Sequence, residues 1–219
     1  MREIATELWL FSGFPPNAVN VYLAADVLID AATRWGKRRL LKQLGNRSLS
    51  LVALTHVHPD HQGCAAMLCR RYQVGLACHE ADVATMQGER PMQPPNAIVR
   101  TASRFWAGPP YPVSPVLHEG DSVAGFRVIH APGHTPGHIV LFRDQDRVAI
   151  VGDVLNGMNI FTGLPGLHLP PSVFCTDEEE NRRSVRRLAE LEPRILCFGH
   201  GPPLRDRKAF DRFLKRIAL

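Results

Sequence analysis

Short apolar runs alternate along the chain with polar, glycine- and proline-marked turns, and several runs are too short to be anything but strands. Leu8-Trp9-Leu10-Phe11 and Val19-Asn20-Val21-Tyr22-Leu23 predict two strands joined by the turn-rich segment 12–17. Val27-Leu28-Ile29-Asp30 predicts a third, closing on a carboxylate, and Leu49 to Leu54 and Val74 to Cys78 predict two more. Between these lie segments of helical character. Ala31 to Asn46 is basic, with Leu40, Leu41 and Leu44 at helical spacing, and reads as a surface helix with a solvated charged face. Gln62 to Tyr72 is rich in Ala and Leu and predicts a second helix, and Glu80 to Gln87 a third. Residues 89–115 are proline-rich and aperiodic and read as irregular structure, with Trp106 and Tyr111 lining a surface.

A second series begins near Ser122. Phe126 to His130, His138 to Phe142 and Val148 to Val151 predict consecutive strands, with Asp144-Gln145-Asp146 turning between the last two. Residues 156–175 read as a long loop, and loops of that length inside a domain tend to be functional. Thr176 and Glu179 fit a capping box at the start of a helix that ends before Pro193. Arg194 to Phe198 is a strand, Gly199-His200-Gly201 a turn, and Asp206 to Ala218 a closing helix. The same order of elements thus occurs twice. The pattern predicts one α/β domain over 1–219, made of two halves, about 1–121 and 122–219, stacked sheet to sheet with helices outside.

Composition changes this picture little. The chain has 219 residues, 45% hydrophobic and 21% charged, which suits a buried core and excludes disorder. The net charge of +5 is a mild excess, and the basic segments 34–47 and 182–187 fall on predicted helix faces, so a nucleic-acid partner is not expected. No apolar run approaches a membrane span, and the first ten residues lack the apolar stretch of a signal peptide. Five cysteines, odd in number and without a CxxC pair, read as reduced, buried thiols of a cytoplasmic protein. The expected partner is a small-molecule substrate, with a homo-oligomer as the assembly left open.

Chemistry concentrates in Thr55-His56-Val57-His58-Pro59-Asp60-His61, where three histidines and one carboxylate occupy the six residues from His56. It stands where a strand hands over to a helix, the place where open α/β sheets bind ligands. Burying four such groups together costs several kcal/mol unless something pairs them. His134, Asp153 and His200 each lie in a glycine-containing turn directly beyond an apolar strand. Together these residues supply five imidazoles and two carboxylates, too rich in nitrogen for magnesium or calcium and suited to zinc, iron or manganese. Seven ligands exceed one site that must also hold water, and they match two divalent metal ions per chain sharing a carboxylate. His79, His118 and His130 read as surface or core residues and His138 as a core residue near the site. Phe161, Leu164, Leu167 and His168, in the long loop, are the candidates to face substrate.

With these motifs assembled, the sequence resembles the metallo-β-lactamase superfamily. Thr55 to His61, Pro132-Gly133-His134-Thr135-Pro136-Gly137-His138, Gly152-Asp153 and Gly199-His200-Gly201 occur in that family's order. The resemblance implies an αββα sandwich of two mixed sheets. It implies His56, His58 and His134 on a first metal, Asp60, His61 and His200 on a second, and Asp153 bridging. Within the superfamily the Asp60-His61 pair and the motif around His134 look most like short glyoxalase-II-like hydrolases. Nineteen residues follow His200, so the C-terminal helical region that helps bind glutathione in full-length glyoxalase II is expected to be absent or minimal.

The expected activity is hydrolysis by a dinuclear metal centre, zinc first among the candidate metals, through a metal-bridging hydroxide acting on a thioester. Asp60 is the expected catalytic residue, orienting the nucleophile and moving its proton. A lactonase, such as one acting on acyl-homoserine lactones, is the alternative. A mononuclear iron sulfur dioxygenase and an RNA nuclease share the motifs and stand behind it.

Overall fold

The computed structural model describes residues 1–11 and 13–217. Seven strands form the first sheet in sequence order: β1 (Arg2–Ala5), β2 (Leu8–Leu10), β3 (Tyr22–Ala24), β4 (Val27–Ile29), β5 (Leu51–Ala53), β6 (Gly75–His79) and β7 (Val116–Leu117). The first four pair antiparallel, and β4 through β7 pair parallel, each parallel step bridged by a crossover. The second sheet holds β8 (Ser122–Val123), β9 (Phe126–His130), β10 (Ile139–Arg143), β11 (Val148–Gly152) and β14 (Ile195–Phe198), in the order β14-β11-β10-β9-β8. Only β11 and β14 pair parallel in it. The break between the sheets falls between Leu117 and Ser122.

Strand alternation builds the layers. In β3, Tyr22 and Ala24 point into the space between the sheets, where they meet Phe126, Val128, Leu141 and Ile150, while Leu23 points outward. The outward residues of the first sheet, Leu23, Leu28, Val52 and Leu76, are covered by α1 (Lys37–Leu44) and α3 (Ala65–Tyr72) through Leu40, Leu44 and Leu68. On the far face, Ile129, Val140, Val151 and Leu196 are covered by α6 (Glu178–Glu190) and α7 (Arg207–Arg216) through Val185, Leu188, Phe210 and Phe213. Three apolar clusters, one between the sheets and one under each helical layer, make this an αββα sandwich.

Several expectations are corrected. The helix expected over 62–72 is two: α2 (Pro59–Gln62) and α3, separated by Gly63 and Cys64. Residues 89–115 contain α5 (Ala97–Trp106), capped by Asn96, whose side chain accepts from the N–H groups of Ile98 and Val99. The expected loop 156–175 contains a hairpin, β12 (Asn156–Met158) with β13 (Pro165–His168). The cap of α6 is Asp177, not Thr176; its carboxylate accepts from Glu180 N–H, while Thr176 donates to the carbonyl of His134. β1 was not expected. The closing helix starts after its cap Asp206 and runs to Arg216, and Ala218 lies outside the described residues. No helix among the described residues is long and apolar enough to cross a membrane, and all five cysteines are free and buried.

Two buried polar ties join the sheets where the turns converge. Asn20 Nδ2 donates to the carbonyls of Phe198 and Gly201 at 2.9 and 2.7 Å, and the Tyr22 hydroxyl donates to Phe198 O at 2.8 Å. Asn20→Ala removes the donor for a buried carbonyl and is expected to cost about 2 kcal/mol, read as a lowered Tm. A third tie, away from these turns, is titratable. His79 caps α4 (Glu80–Met86), its Nδ1 accepting from Ala81 N–H, and its ring stacks on His130 at 4.0 Å, with Glu80, His118 and Glu119 nearby. Burial and the neighbouring His130 push His79 down to about 4. A depressed histidine favours the folded chain while neutral, so this stability is present above about pH 6.5 and is lost as pH falls toward 4. The expected loss is about 2 kcal/mol, allowing for screening by nearby solvent, and it is expected to be absent in His79→Asn, which keeps a capping acceptor.

Candidate metal centre

The C-terminal ends of β4, β5, β9, β11 and β14 lie along one edge of the sandwich, and each delivers a polar residue to it: Asp30, the His56–His61 cluster, His134, Asp153 and His200. His56, His58 and His134 place nitrogens within 4.8 Å of one another; so do the ligand atoms of His56, His61 and Asp153, and those of Asp60, His61 and His200. All seven sequence-predicted ligand residues therefore come together. His134 Nε2 lies 2.9 Å from His58 Nδ1, His200 Nε2 lies 2.9 Å from Asp153 and 3.3 Å from Asp60, and His61 Nε2 lies 3.6 Å from Asp153.

The rings of His56, His58, His61 and His200 are held from behind. Asp30, buried beyond β4, accepts from Thr55 N–H at 2.8 Å, from the Thr55 hydroxyl, and from His61 Nδ1 at 2.9 Å. The Thr55 oxygen in turn lies 3.1 Å from His56 Nδ1. A carboxylate only accepts, so Nδ1 of His61 and, through Thr55, of His56 carries a proton and both Nε2 atoms face the cluster. His58 donates through Nε2 to the carbonyl of Gln93, and His200 through Nδ1 to that of Ala18. Asp82 of α4 fastens two ligand loops together, accepting from Val57 N–H, the Thr135 hydroxyl and Gly137 N–H at 3.1, 3.0 and 2.9 Å. His138 is not among the grouped ligand atoms; its Nε2 accepts from Asp153 N–H at 3.0 Å and fixes that turn. Gly199 is required by space, since a Cβ there would lie 2.0 Å from Asp153 Oδ1.

Electrostatics divides the cluster. Burial, reinforced by neighbouring rings, pushes His56 and His134 well below the usual histidine range, and burial likewise lowers His58. Burial opposes charge on His61 and His200 too, but there the carboxylates win: Asp30, Asp153 and Asp60 raise His61, and Asp153 and Asp60 raise His200 to about 10. Burial works against charge on Asp60 and Asp153, and the His61 and His200 rings overcome it, holding both carboxyls below the ordinary range. His56 Nε2, His61 Nε2 and Asp153 Oδ1 are buried and have no hydrogen-bond partner. Three inward polar atoms left unpaired would be costly in a closed interior, and a cation that displaces the His61 proton is the partner that fits.

The cluster forms the floor of a cavity of about 440 Å³. Phe161 lines it, as do Asn156, Met158 and Ile160. The other candidates from the loop do not: Leu164 is exposed, Leu167 packs toward the α6–α7 side, and His168 stands on β13 away from the cavity. The hairpin explains this, since it turns its first strand to the cavity and its second away. Asp30 and Asp82 were missed as functional residues; the signal available for Asp30 was a lone carboxylate closing an apolar strand.

Residues 14–200 match the family model described as the metallo-beta-lactamase superfamily. The chain belongs to this superfamily. It is 30% identical over 200 residues to a probable metallo-hydrolase, YflN, of Bacillus subtilis, covering 81% of this chain and 76% of that one. It is 31% identical over 129 residues to the hydroxyacylglutathione hydrolase GloC of Haemophilus influenzae, covering 53% and 56%, which agrees with the glyoxalase-II-like resemblance of the motifs. It is 32% identical over 212 residues to the acyl-coenzyme A thioesterase MBLAC2 of Gallus gallus, covering 82% and 70%. In a metallo-beta-lactamase superfamily site of this kind, partners behind the ligands set metal affinity. Asp30→Ala is expected to weaken binding of zinc or manganese by about 10–100-fold in a chelator competition, with the far-ultraviolet circular dichroism unchanged.

Proposed function

We propose that this superfamily member is a dinuclear metal-dependent hydrolase of thioesters. The observation that carries the reading is the set of inward, unpartnered ligand atoms of His56, His61 and Asp153, gathered with His58, Asp60, His134 and His200, which line an open cavity together with Asp153. His56, His58 and His134 would hold one cation, Asp60, His61 and His200 a second, with Asp153 between the two groups. Two divalent cations, when bound, lower the pKa of water toward neutrality and polarise a carbonyl.

The chain's own residues supply the rest. Asp60 is the more exposed of the two ligand carboxylates at the cavity, and it orients the attacking water and carries its proton toward the leaving group. Met158, Ile160 and Phe174 exclude bulk water from the reacting carbon. The substrate is a small molecule, and the names borne by GloC and MBLAC2 support thioester as the bond class. Buried, unpaired cysteines support a reducing compartment such as the cytoplasm.

Protein loaded with zinc, manganese or iron is expected to hydrolyse thioesters, with two metals per chain and no oxygen uptake. His58→Ala is expected to lose metal and hydrolysis together. Asp60→Asn is expected to lower kcat by about 100-fold or more. Full activity in metal-free protein overturns the reading. Opening of acyl-homoserine lactones without cleavage of any thioester replaces it with the lactonase, and oxygen consumption at one iron per chain replaces it with the dioxygenase.

A further inference from the structure

We infer that the thioester substrate pairs an apolar acyl group with a phosphate-bearing thiol of the coenzyme A type, each half recognised by its own cavity. The inference rests on the thioesterase reading and adds what stands on either side of the scissile bond.

The acyl side follows from the cavity walls. Val99, Ala102 and Trp106 of α5 form one wall, and Met158, Ile160 and Phe161 the facing one. Among the described residues no lysine or arginine lines this cavity. A carboxylate or ammonium placed between these walls would lose its hydration without gaining a partner, whereas an alkyl chain gains from burial.

The thiol side follows from the basic segment, whose charges are not spread idly over a solvated helix face. A second cavity of about 310 Å³ adjoins the first across Phe14, Val19 and Thr33, which line both. Its outer wall is Trp35, Arg38 and Arg39. Residues 31–47 carry six basic side chains and no acidic one. Some arginines elsewhere are paired, as in Arg127–Asp144 and Arg143–Asp146, and others are not; among the described residues Arg38 and Arg39 make no ion pair and both line this cavity. The Arg39 guanidinium instead stands 5.9 Å above the Phe14 ring. Two unneutralised guanidinium forks beside an exposed indole suit phosphates and a purine ring. The scissile carbonyl would lie over the ligand cluster in the first cavity, with the thiol arm leaving past Phe14, Val19 and Thr33. Water adds to the carbonyl carbon, the C–S bond breaks, the acyl group leaves as a carboxylic acid, and the thiolate takes a proton.

The test compares octanoyl-coenzyme A, S-octanoyl-glutathione and S-phenyl thiooctanoate with metal-loaded wild-type protein and with Arg38→Ala/Arg39→Ala. The wild type is expected to prefer the coenzyme A ester over the glutathione ester by about 100-fold in kcat/KM, and the double variant to lose at least about tenfold of that preference. Coenzyme A alone, measured by calorimetry, is expected to bind the wild type in a salt-dependent way and the double variant at least about tenfold more weakly, with partial recovery in Arg38→Lys/Arg39→Lys. Ala102→Trp is expected to shift preference from octanoyl- toward acetyl-coenzyme A. Cleavage of the phenyl ester with no preference among carriers overturns this inference and leaves the thioesterase reading standing. Failure to cleave any of the three overturns the thioesterase reading itself. An unchanged chain-length preference in Ala102→Trp overturns the acyl assignment.

Discussion

The carboxylate of Asp30 is buried at the end of β4 with donors drawn to it from the next strand's loop: a backbone N–H and hydroxyl from Thr55 and an imidazole from His61. Through Thr55 it also reaches His56. One acceptor therefore decides which face of two imidazoles turns inward, and the rest of the cluster depends on that choice. Asp82 performs the matching task between loops, binding the backbone at Val57 and Gly137 to one side chain on α4. The expense of burying two carboxylates is set against six good hydrogen bonds and the order they impose on the ligands.

The sandwich makes this arrangement possible by bringing five strand ends to one rim. Neither sheet owns the site: His56 to His61 belong to the first, His134, Asp153 and His200 to the second. The joint between them is polar as well as apolar, with Asn20 and Tyr22 reaching across to the carbonyl that precedes the His200 turn. α6 serves the same rim from outside, where Ser184 bonds Pro132 O and Asn181 bonds Val154 O at 2.7 and 3.0 Å, bracketing the His134 and Asp153 turns.

The ligand residues were legible because histidine and aspartate in glycine turns beyond apolar strands have few other reasons to be there. Asp30 was less so, since a single carboxylate at a strand end has many ordinary uses. α5 escaped because prolines flank it; Ile98, Val99, Ala102, Phe105 and Trp106 do recur at helical spacing, but Val99, Ala102 and Trp106 line an open cavity and only Val99 is buried. Thr176 and Asp177 are both competent caps, and only the backbone path of the His134 loop, which takes the N–H groups of both residues, decides between them. Phe161 lines the cavity and Leu164, Leu167 and His168 do not, because a hairpin inside the supposed loop reverses which side chains share a face.

The cavity walls have a different origin from its floor. The floor is made of strand ends locked into two sheets, while the walls come from α5 and from the β12–β13 hairpin, segments outside either sheet's ladder. A residue changed in the floor disturbs a web of shared donors, whereas the walls can be lengthened, shortened or exchanged while the web stays intact. Such a division lets descendants of one ancestor keep a single way of breaking bonds and diverge in what they admit to it.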